Sequence, residues 1–492
     1  MILVLILLVP MSGAVALGLW GHKRIAPALN ILFSLATFAL TLLLAATVDS
    51  RGPLIALDEN LFADSLSSLF LVLTGGVAAT TSFFSLRYMN IEGARGHLTP
   101  ERTRLYLSLY QLFVLTMVVV LASNNLGLLW VALEGATLTT VLLVGWTRTP
   151  SAIKASWKYF ILCGVGIAQA LFGTILLYFA SEKTLGPGGT ALLLTHLQTV
   201  KAQLEPTVMS LAFVFFVVGY GTKVGLVPLH NWLPDAHAEG PTPISAVLSG
   251  LLLNVALYAI LRVKVLAVGA LHTSMPSDLL MGFGFISVLL ASLSMWKRQD
   301  IKRLFAYSSI EHMGLATLAF GIGGPIATFA GLLHMTAHSL VKSAIFFAVG
   351  HIVQTSGSQR IPSIREISAR TPGLSRALLT GGFAITGLPP FALFFSEFLI
   401  MAEAIKRIPY AVPFLLLSLF ITFGVLIFRI LEMNEEESPP PNISPPPRIP
   451  CLTFFPIWIH LGAALALGTF FPSPLYEVYR KALLSLGVAH GD

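Results

Sequence analysis

Charged residues are scarce in this sequence. Only 11% of its 492 residues are Asp, Glu, Lys or Arg, whereas an ordinary soluble domain carries about 25%. Apolar residues make up 55% of the chain, and they recur in blocks of about 20, the length that crosses a bilayer as a helix. The shortage of charge therefore excludes an ordinary soluble protein and predicts an all-α polytopic membrane protein.

Cysteine is almost absent, and so are the usual cofactor motifs. Cys163 and Cys451 are the only two cysteines, which excludes a disulfide framework and an iron–sulfur ligand set of about four thiolates. No GxGxxG or GxxxxGK[ST] occurs in a supporting context, and "HMTAH" lacks the Glu that follows the first His of a zinc-binding HExxH helix. We therefore expect no cofactor and no metal on this chain.

The net charge of +7 is compatible with nucleic-acid binding, but Lys and Arg collect in the loops beside the apolar blocks. The lipid bilayer is therefore the expected partner, and nucleic acid is not. Fourteen spans are predicted, each helical, with uncertain ends. They lie at about 1–20, 26–47, 64–86, 106–124, 126–146, 158–180, 207–229, 243–265, 278–296, 304–321, 325–353, 376–403, 410–431 and 452–471.

The loops differ in basic charge. If the loop after the first span is cytoplasmic, the cytoplasmic loops hold about twice as many Lys and Arg as the opposite loops, as the positive-inside rule requires. We therefore expect a multi-pass protein of the cell (inner) membrane with both termini on the non-cytoplasmic side. The segment "NEEESPPPNISPPPRIP" (434–450) is predicted to be a proline-rich linker that separates the last span.

Two spans contain helix breakers at corresponding places. Span 7 has three glycines and Pro228 in "FVFFVVGYGTKVGLVPLHNWLP", and span 12 has "ITGLPPFALFFSEFLIM". Broken helices at membrane depth are tolerated where protein or a water-filled cavity satisfies the freed backbone groups. Two broken spans five apart favour inverted repeats of helices 4–8 and 9–13, although kinks without a transport role remain an alternative. The predicted units are 1–105, 106–265, 278–431, 434–450 and 452–471.

Four charged residues lie well inside predicted spans: Glu134, Lys223, Lys342 and Glu397. A charge at the bilayer centre costs about 2.5–3.5 kcal/mol on insertion scales, so these groups must pair, bind water or become neutral. They form either two structural salt bridges or a proton relay. In a relay, burial disfavours the charged lysine and a nearby carboxylate favours it, so each acid–lysine pair can load and unload a proton. The predicted pairs are Glu134 with Lys223 and Lys342 with Glu397.

Span 11 carries a stripe of titratable side chains. In "LLHMTAHSLVKSAIFF" (332–347), His334, His338 and Lys342 stand four residues apart and share one helix face. Helix–helix hydrogen bonding is the alternative for these histidines, but the lysine on the same stripe favours a relay. We place Glu311, His312 and His351 near span ends, as mouths or side branches of the relay.

Two motifs resemble a known family. "GTKVGLVPLHNWLPDAHAEGPTPISAVLSGLLLN" (221–254) and "QDIKRLFAYSSIEHMG" (299–314) are similar to the signatures of the antiporter-like membrane subunits of respiratory complex I, Mrp cation/proton antiporters and energy-converting nickel–iron hydrogenases. The form "SSIEHMG" most resembles the F-type membrane component of hydrogenase-4 (formate hydrogenlyase). The resemblance covers about residues 60–430.

The resemblance implies a fourteen-helix fold with two inverted five-helix repeats and a hydrated axis at the membrane midplane. It also implies a set of ion-pathway residues: Glu134, Lys223, His334, His338, Lys342 and Glu397. The sequence departs from several relatives at Asn254, where they have a bridging lysine. Asn cannot carry a proton, so the link between the half-channels would need water, His230 or His312.

The implied function is proton translocation, with Na⁺ as an open alternative, by one membrane component of a hydrogenase-type complex. This chain would carry no redox chemistry itself. Nickel–iron and iron–sulfur centres are then expected in partner subunits, which would comprise other membrane subunits and a soluble redox arm. Membership of complex I, an Mrp-type antiporter without a redox partner, and a structural anchor with an inactive path remain alternatives.

Overall fold

The computed structural model describes residues 1–96, 98–435 and 451–488, and most of them are helical. The helices are α1 (Ile2–Trp20), α2 (Ala26–Arg51), α3 (Ser65–Ala94), α4 (Pro100–Ala122), α5 (Leu126–Val144), α6 (Pro150–Leu185), α7 (Leu194–Val200), α8 (Pro206–Val224), α9 (Leu233–Glu239), α10 (Thr242–Val247), α11 (Leu253–Leu271), α12 (Met275–Met295), α13 (Ile301–Ile322), α14 (Gly324–Ser356), α15 (Ile367–Arg370), α16 (Pro372–Ile385), α17 (Ala392–Arg407), α18 (Val412–Glu432), α19 (Phe455–Thr469) and α20 (Ser473–Ser485). A π-helical turn, Leu248–Leu252, joins α10 to α11. The predicted all-α membrane class is confirmed. Of the predicted proline-rich linker, residues 436–450 lie outside the described residues.

One element is not helical. The strands β1 (Leu54–Ala56) and β2 (Leu61–Ala63) form an antiparallel hairpin between α2 and α3, with Leu54 opposite Ala63 and Ala56 opposite Leu61. The sequence analysis did not predict this hairpin, because three-residue strands are too short to show an alternating pattern.

Several helices begin at a side chain that caps the free backbone N–H groups of the first turn. Asp64 accepts from the N–H of Ser67 at the start of α3, and Asp300 accepts from the N–H of Arg303 at the start of α13. Glu205 accepts from the first N–H groups of α8, and these bonds lower the pKa of this exposed carboxyl group. Such caps fix where each span begins.

Eleven helices in the described part of the chain are long and apolar enough to cross a membrane. Counting the bent pair α19–α20, which turns by 81°, gives up to twelve. Each of the fourteen predicted spans contains a helix, but α13 is not among the eleven, and α16 and α17 are only 14 and 16 residues long. The count of fourteen and the inverted repeats therefore stay predictions, as do the boundaries of the predicted units.

Both predicted helix breaks are present. α8 ends at Gly225, which has φ +82° in the left-handed region that glycine tolerates. The chain then runs without regular helix to α9, and the indole N–H of Trp232 donates at 2.7 Å to the carbonyl of Thr222, which also accepts from the N–H of Gly225. In the second break, between α16 and α17, Gly387 has φ +65°. The protein itself thus satisfies part of the interrupted backbone, as membrane depth requires.

Two segments form the centre of the bundle. The span that contains α10 and α11 is buried throughout, and α14 is buried along almost its whole length, whereas α1 and α2 expose most of their residues. Two backbone bridges join the connections between helices: Leu61 of β2 bridges to Ser123, and Asn125 bridges to Leu193. The stripe on α14 therefore lies inside the protein and not against lipid.

A buried ion pair joins α3 to α11. The guanidinium of Arg262 donates to both carboxylate oxygens of Asp64, at 2.7 and 2.6 Å, and the two side chains are 1% and 7% exposed. The sequence analysis did not single out this arginine, because it lies close to the predicted end of its span. The pair has the character of a structural salt bridge, since Arg262 also binds the Ser67 hydroxyl.

Candidate functional site

The three titratable residues of the stripe on α14 are completely buried, as a stripe on a central helix requires. His334, His338 and Lys342 are all inaccessible to solvent. Nδ1 of His334 lies 3.0 Å from Oγ of Ser396 on α17. Neither ring nitrogen of His338 has a hydrogen-bond partner among the described residues. A buried imidazole without partners is costly, and it is suited to bind a proton or water.

His312 joins this stripe from the neighbouring helix. Its Nδ1 lies 3.1 Å from Nε2 of His334, and its ring centroid lies 5.1 Å from that of His334 and 5.6 Å from that of His338. Glu311 and His312 stand near the middle of α13 and are buried. The expectation that these two residues lie near a span end was wrong. The predicted span 304–321 itself has these residues near its middle, and α13 extends it by only three residues at its start and one at its end.

Lys342 has different neighbours from those expected. Its ammonium donates to the backbone carbonyl of Phe305 at 2.8 Å and lies 5.5 Å from the centroid of the Phe305 ring. Within the described residues no ion pair joins Lys342 to Glu397, whose nearest printed partner is His312 at 3.8 Å. The pairing of Lys342 with Glu397 stays a prediction.

Glu397 lies at the other end of the histidine group. Its Oε1 is 3.8 Å from Nδ1 of His312 and accepts no hydrogen bond from the described residues. Its Oε2 lies over Gly387 in the helix break, so closely that a Cβ at that position would collide with it. Glu311 is held separately, because the hydroxyl of Thr422 donates to its Oε1 at 2.7 Å.

The first half of the chain contributes Glu134 and Lys223. The Thr137 hydroxyl donates to Glu134 at 3.1 Å, and this glutamate is only half-buried. Lys223 is fully buried, lies 5.0 Å from the ring centroid of Tyr159, and has no hydrogen-bond partner in the described part of the chain. Within the described residues no ion pair joins Lys223 to Glu134, and their pairing stays a prediction.

Asn254 fills the place between the halves with polar contacts. Its amide donates to the carbonyl of Met335 at 3.1 Å and to Oγ of Ser339 at 2.6 Å, while its Oδ1 has no partner among the described residues. The hydroxyls of Ser249, in the π-helical turn, and Ser309, on α13, lie 2.7 Å apart. Hydroxyl and amide groups therefore stand where several relatives are expected to have a lysine.

The remaining auxiliary residues lie at the edges. His230 is in the first break, at 6.2 Å between its ring centroid and that of Tyr307. Nδ1 of His351, near the C-terminal end of α14, lies 3.0 Å from Oε1 of Gln354, whose amide donates to Glu92 at 2.7 Å. His351 thus connects towards the loop side, in agreement with its predicted place near a span end.

Two buried residues were missed by the sequence analysis. His237 in α9 stacks on Phe346 at 5.2 Å between ring centroids, and neither of its nitrogens has a partner in the described residues. The charges of Lys342 and Lys302 both act on it. Lys302, in the first turn of α13, donates to the carbonyl of Gly240 at 2.9 Å. Both lie in the two quoted motifs, "LPDAHAEG" and "QDIKRLF", which was the available signal.

The mouth beside Lys302 contains paired charges. Asp235 binds Lys158 at 2.7 Å and Arg303 at 3.2 Å, and Glu239 is 4.0 Å from Arg303. These side chains are partly exposed. Titratable groups thus occur in a partly exposed cluster around Asp235 and in a buried group, in which His312 lies beside His334, His338 and Glu397.

Comparisons with known proteins identify a family and relatives of this chain. The family model described as "NADH:quinone oxidoreductase/Mrp antiporter, TM" matches residues 123–422. The "Hydrogenase-4 component F homolog" of Methylacidiphilum infernorum (isolate V4) is 46% identical over 98% of this chain and 99% of its own length.

Two solved structures share the fold. A chain of the membrane-bound sulfane sulfur reductase, an archaeal respiratory membrane complex, superposes with a TM-score of 0.88 at 24% identity, over 99% of this chain and 98% of that one. A chain of respiratory complex I from Thermus thermophilus gives a TM-score of 0.81 at 22% identity, over 100% of both chains. With the family model covering more than half of the sequence, the chain belongs to the family of NADH:quinone oxidoreductase and Mrp antiporter membrane subunits.

Proposed function

We propose that this chain translocates protons across the cell membrane, as one component of a redox-driven complex of the energy-converting hydrogenase type. The observation that carries the proposal is the buried group of titratable side chains in which His312 lies 3.1 Å from His334 and 3.8 Å from Glu397. Charged and ionisable groups inside a membrane protein are expensive and mark ion pathways. The hydrogenase-4 name of the 46% identical relative supports the type of complex.

In this path each group has a role that its surroundings suit. Asp235 and Glu239 gather protons at the mouth, and Lys302 and His237 pass them to Lys342. His338, His312 and His334 exchange protons along the stack, with the 3.1 Å contact as one transfer step. Glu397 accepts the proton at the second break. The exchange needs no net change in covalent bonding, because each group regenerates its resting form when it hands on one proton.

The first half supplies a second unit built on Lys223. Because this ammonium is buried without a hydrogen-bond partner in the described residues, its charge depends on Glu134 and Cys163 nearby. A shift of Glu134 towards Lys223 favours the protonated lysine, and a shift away favours release. Asn254 and the Ser249–Ser309 pair offer polar groups that can hold water between the two units.

The driving force must come from partners. With two cysteines in the sequence, the chain lacks the ligands of an iron–sulfur centre. Nickel–iron and iron–sulfur centres belong in this proposal to a soluble redox arm, and other membrane subunits connect that arm to this chain. The proposed orientation places both termini on the non-cytoplasmic side.

Replacing Lys223 with Ala tests the proposal. We expect loss of redox-coupled proton uptake in proteoliposomes, by about 10²-fold or more since a positioned proton-transfer group is removed, while electron transfer by the soluble arm continues in part. Lys406→Ala, which removes an exposed lysine paired with Glu403, serves as the control and should pump normally. Unchanged translocation in the Lys223 variant would contradict the proposal.

An Mrp-type antiporter without a redox partner is the second candidate, and the description of the matching family supports it. The two are separated by the energy source. Translocation that requires an electron donor and acceptor supports the redox-driven complex. Cation/proton exchange driven by an imposed gradient, in the chain purified without a redox arm, supports the antiporter.

A further inference from the structure

Three buried side chains from three different helices bring ligand atoms together at the second helix break. Nδ1 of His312, Nε2 of His334 and a carboxylate oxygen of Glu397 all lie within 4.8 Å of one another. Two of the three separations are 3.1 Å, between Nδ1 of His312 and Nε2 of His334, and 3.8 Å, between Nδ1 of His312 and Oε1 of Glu397. We propose that this group, the His312–His334–Glu397 site, binds a divalent transition metal ion of the Zn²⁺ class and that the bound ion blocks the proton path.

The distances suit such an ion. Zn²⁺ holds imidazole nitrogens at about 2.0–2.1 Å in a tetrahedral arrangement, which places neighbouring ligand atoms about 3.3 Å apart. The observed 3.1 and 3.8 Å lie on either side of this value. A small movement of the Glu397 carboxylate closes the set, and Gly387 offers no side chain beside it. Two imidazoles and one carboxylate leave one open position, as in catalytic zinc sites.

The surroundings also resemble a built ligand set. Nδ1 of His334 lies 3.0 Å from Oγ of Ser396, so its other nitrogen, Nε2, is directed to the site. Metal-binding histidines generally have this kind of partner on the second nitrogen. Oε1 of Glu397 has no hydrogen-bond partner among the described residues and is available as a ligand.

The ligand types decide which ions fit. Imidazole suits Zn²⁺, Co²⁺ and Ni²⁺, whereas Mg²⁺ and Ca²⁺ prefer sets made of oxygen ligands. His334 and His338, four residues apart on α14, form a poor zinc motif by themselves. The His312–His334–Glu397 site includes only His334 from α14, and its other two ligands come from α13 and α17.

A metal ion reaches the site through the second break. Glu397 is 7% exposed, and Pro389 and Pro390 in the break are exposed. Once bound, the ion takes the nitrogen lone pairs through which His312 and His334 would exchange a proton. The blocking effect rests on the proposed function, but the binding itself does not.

Zinc binding is tested on the detergent-purified complex. Titration with Zn²⁺, counted by metal analysis, should give one more tightly held ion per chain in the wild type than in His334→Asn, His312→Asn or Glu397→Gln. Zinc-edge X-ray absorption of the wild type should show two imidazole nitrogens with oxygen ligands. Ser396→Ala should keep the ion with about tenfold weaker affinity, as loss of an outer partner predicts.

His460→Gln is the matched control. This buried histidine contacts Thr80 and the Leu340 carbonyl through its two nitrogens and lies outside the group, so its variant should bind zinc as the wild type does. Equal zinc in the wild type and in every assembled ligand variant would overturn the site. So would an absorption spectrum without two imidazoles, and that measurement needs no variant.

Blocking is measured separately in proteoliposomes. Micromolar Zn²⁺ should stop redox-driven proton uptake by the wild type, and a chelator should restore it. Zinc binding at the three ligands without inhibition would keep the site and contradict the proposed path through His312 and His334. Normal translocation by a wild type that holds no zinc at these ligands would overturn the metal site and leave the proposed function intact.

Discussion

Lys342 is the buried cation around which the second half of the site is arranged. Its ammonium donates to the carbonyl of Phe305 at 2.8 Å and lies 5.5 Å from the centroid of the Phe305 ring. Glu311 is buried on the same helix as Phe305 and accepts a hydrogen bond from Thr422. We therefore expect Glu311 to be an acid that acts on Lys342, whereas Glu397 contacts the histidine group.

Glu311→Gln should remove the charge that favours protonated Lys342. We expect proton uptake per assembled complex to fall by about tenfold or more, with the fold preserved because Gln still accepts the Thr422 hydrogen bond. Glu403→Gln, which removes a carboxylate paired with Lys406 at the surface, should leave uptake unchanged, since exposed pairs contribute little. Equal uptake in both variants would show that Lys342 does not depend on Glu311.

Glu397→Gln should give an assembled complex with strongly reduced translocation, because the last proton acceptor beside His312 is lost. Glu397→Asp keeps a carboxylate and should retain part of the activity. Both are measured as proton uptake in proteoliposomes at equal complex content. Normal pumping by the Gln variant, or failure of the complex to assemble, would indicate a structural role for Glu397.

At the scale of elements, the two breaks place functional groups where a continuous helix could not. The first break leaves Lys223 in the last turn of α8 and lets α9 carry His237 back into the bundle. The second break leaves Gly387 directly against the Glu397 carboxylate. In each break a glycine with positive φ follows the first helix. Because glycine has no side chain, Leu233 can approach Gly225 and Glu397 can approach Gly387.

Gly387→Ala should disturb the second break. The new Cβ would collide with Oε2 of Glu397, at a φ of +65° that alanine avoids. We expect lower thermal stability of the complex together with reduced translocation. Gly424→Ala in α18 is the control, since nothing lies within 4 Å of the added Cβ; in a helix this exchange should be neutral or stabilising by about 0.4–1 kcal/mol.

At the scale of the whole molecule, structural charges and pathway charges are separate. In the Asp64–Arg262 pair both carboxylate oxygens bind the guanidinium, and the pair holds α3 to α11. Only Nε of Arg262 is without a hydrogen-bond partner among the described residues, whereas Lys223, His237 and His338 have no partner there for any side-chain nitrogen. The directly paired charges stabilise the bundle, and the groups without any partner are those available for protons.

Asp64→Asn should therefore affect stability and not transport. Removing one partner of a buried pair costs about 3–5 kcal/mol, because the other charge stays buried and unpaired. We expect a lower melting temperature and less assembled complex, with normal proton uptake per complex that does assemble. Replacing both residues with apolar side chains should recover much of the stability. Loss of uptake without loss of stability would place Asp64 in the proton path.

The sequence by itself determined the membrane class, the positions of the helices and breaks, the family, and the burial of Lys223, Lys342 and Glu397. These follow from local information: apolar block length, helix breakers, and the cost of an isolated charge in a membrane. The stripe of His334, His338 and Lys342 is local too, because helical periodicity fixes it within one element.

Only the tertiary structure decided which groups meet. Helix packing brings the Lys342 ammonium to the carbonyl of Phe305, sets His312 beside both His334 and Glu397, and stacks His237 on Phe346 of α14. Residues from α9, α13, α14 and α17 are separated by tens of positions, and no spacing rule specifies their contacts. Partner choice depends on how side chains from different helices pack, and packing is a property of the whole bundle.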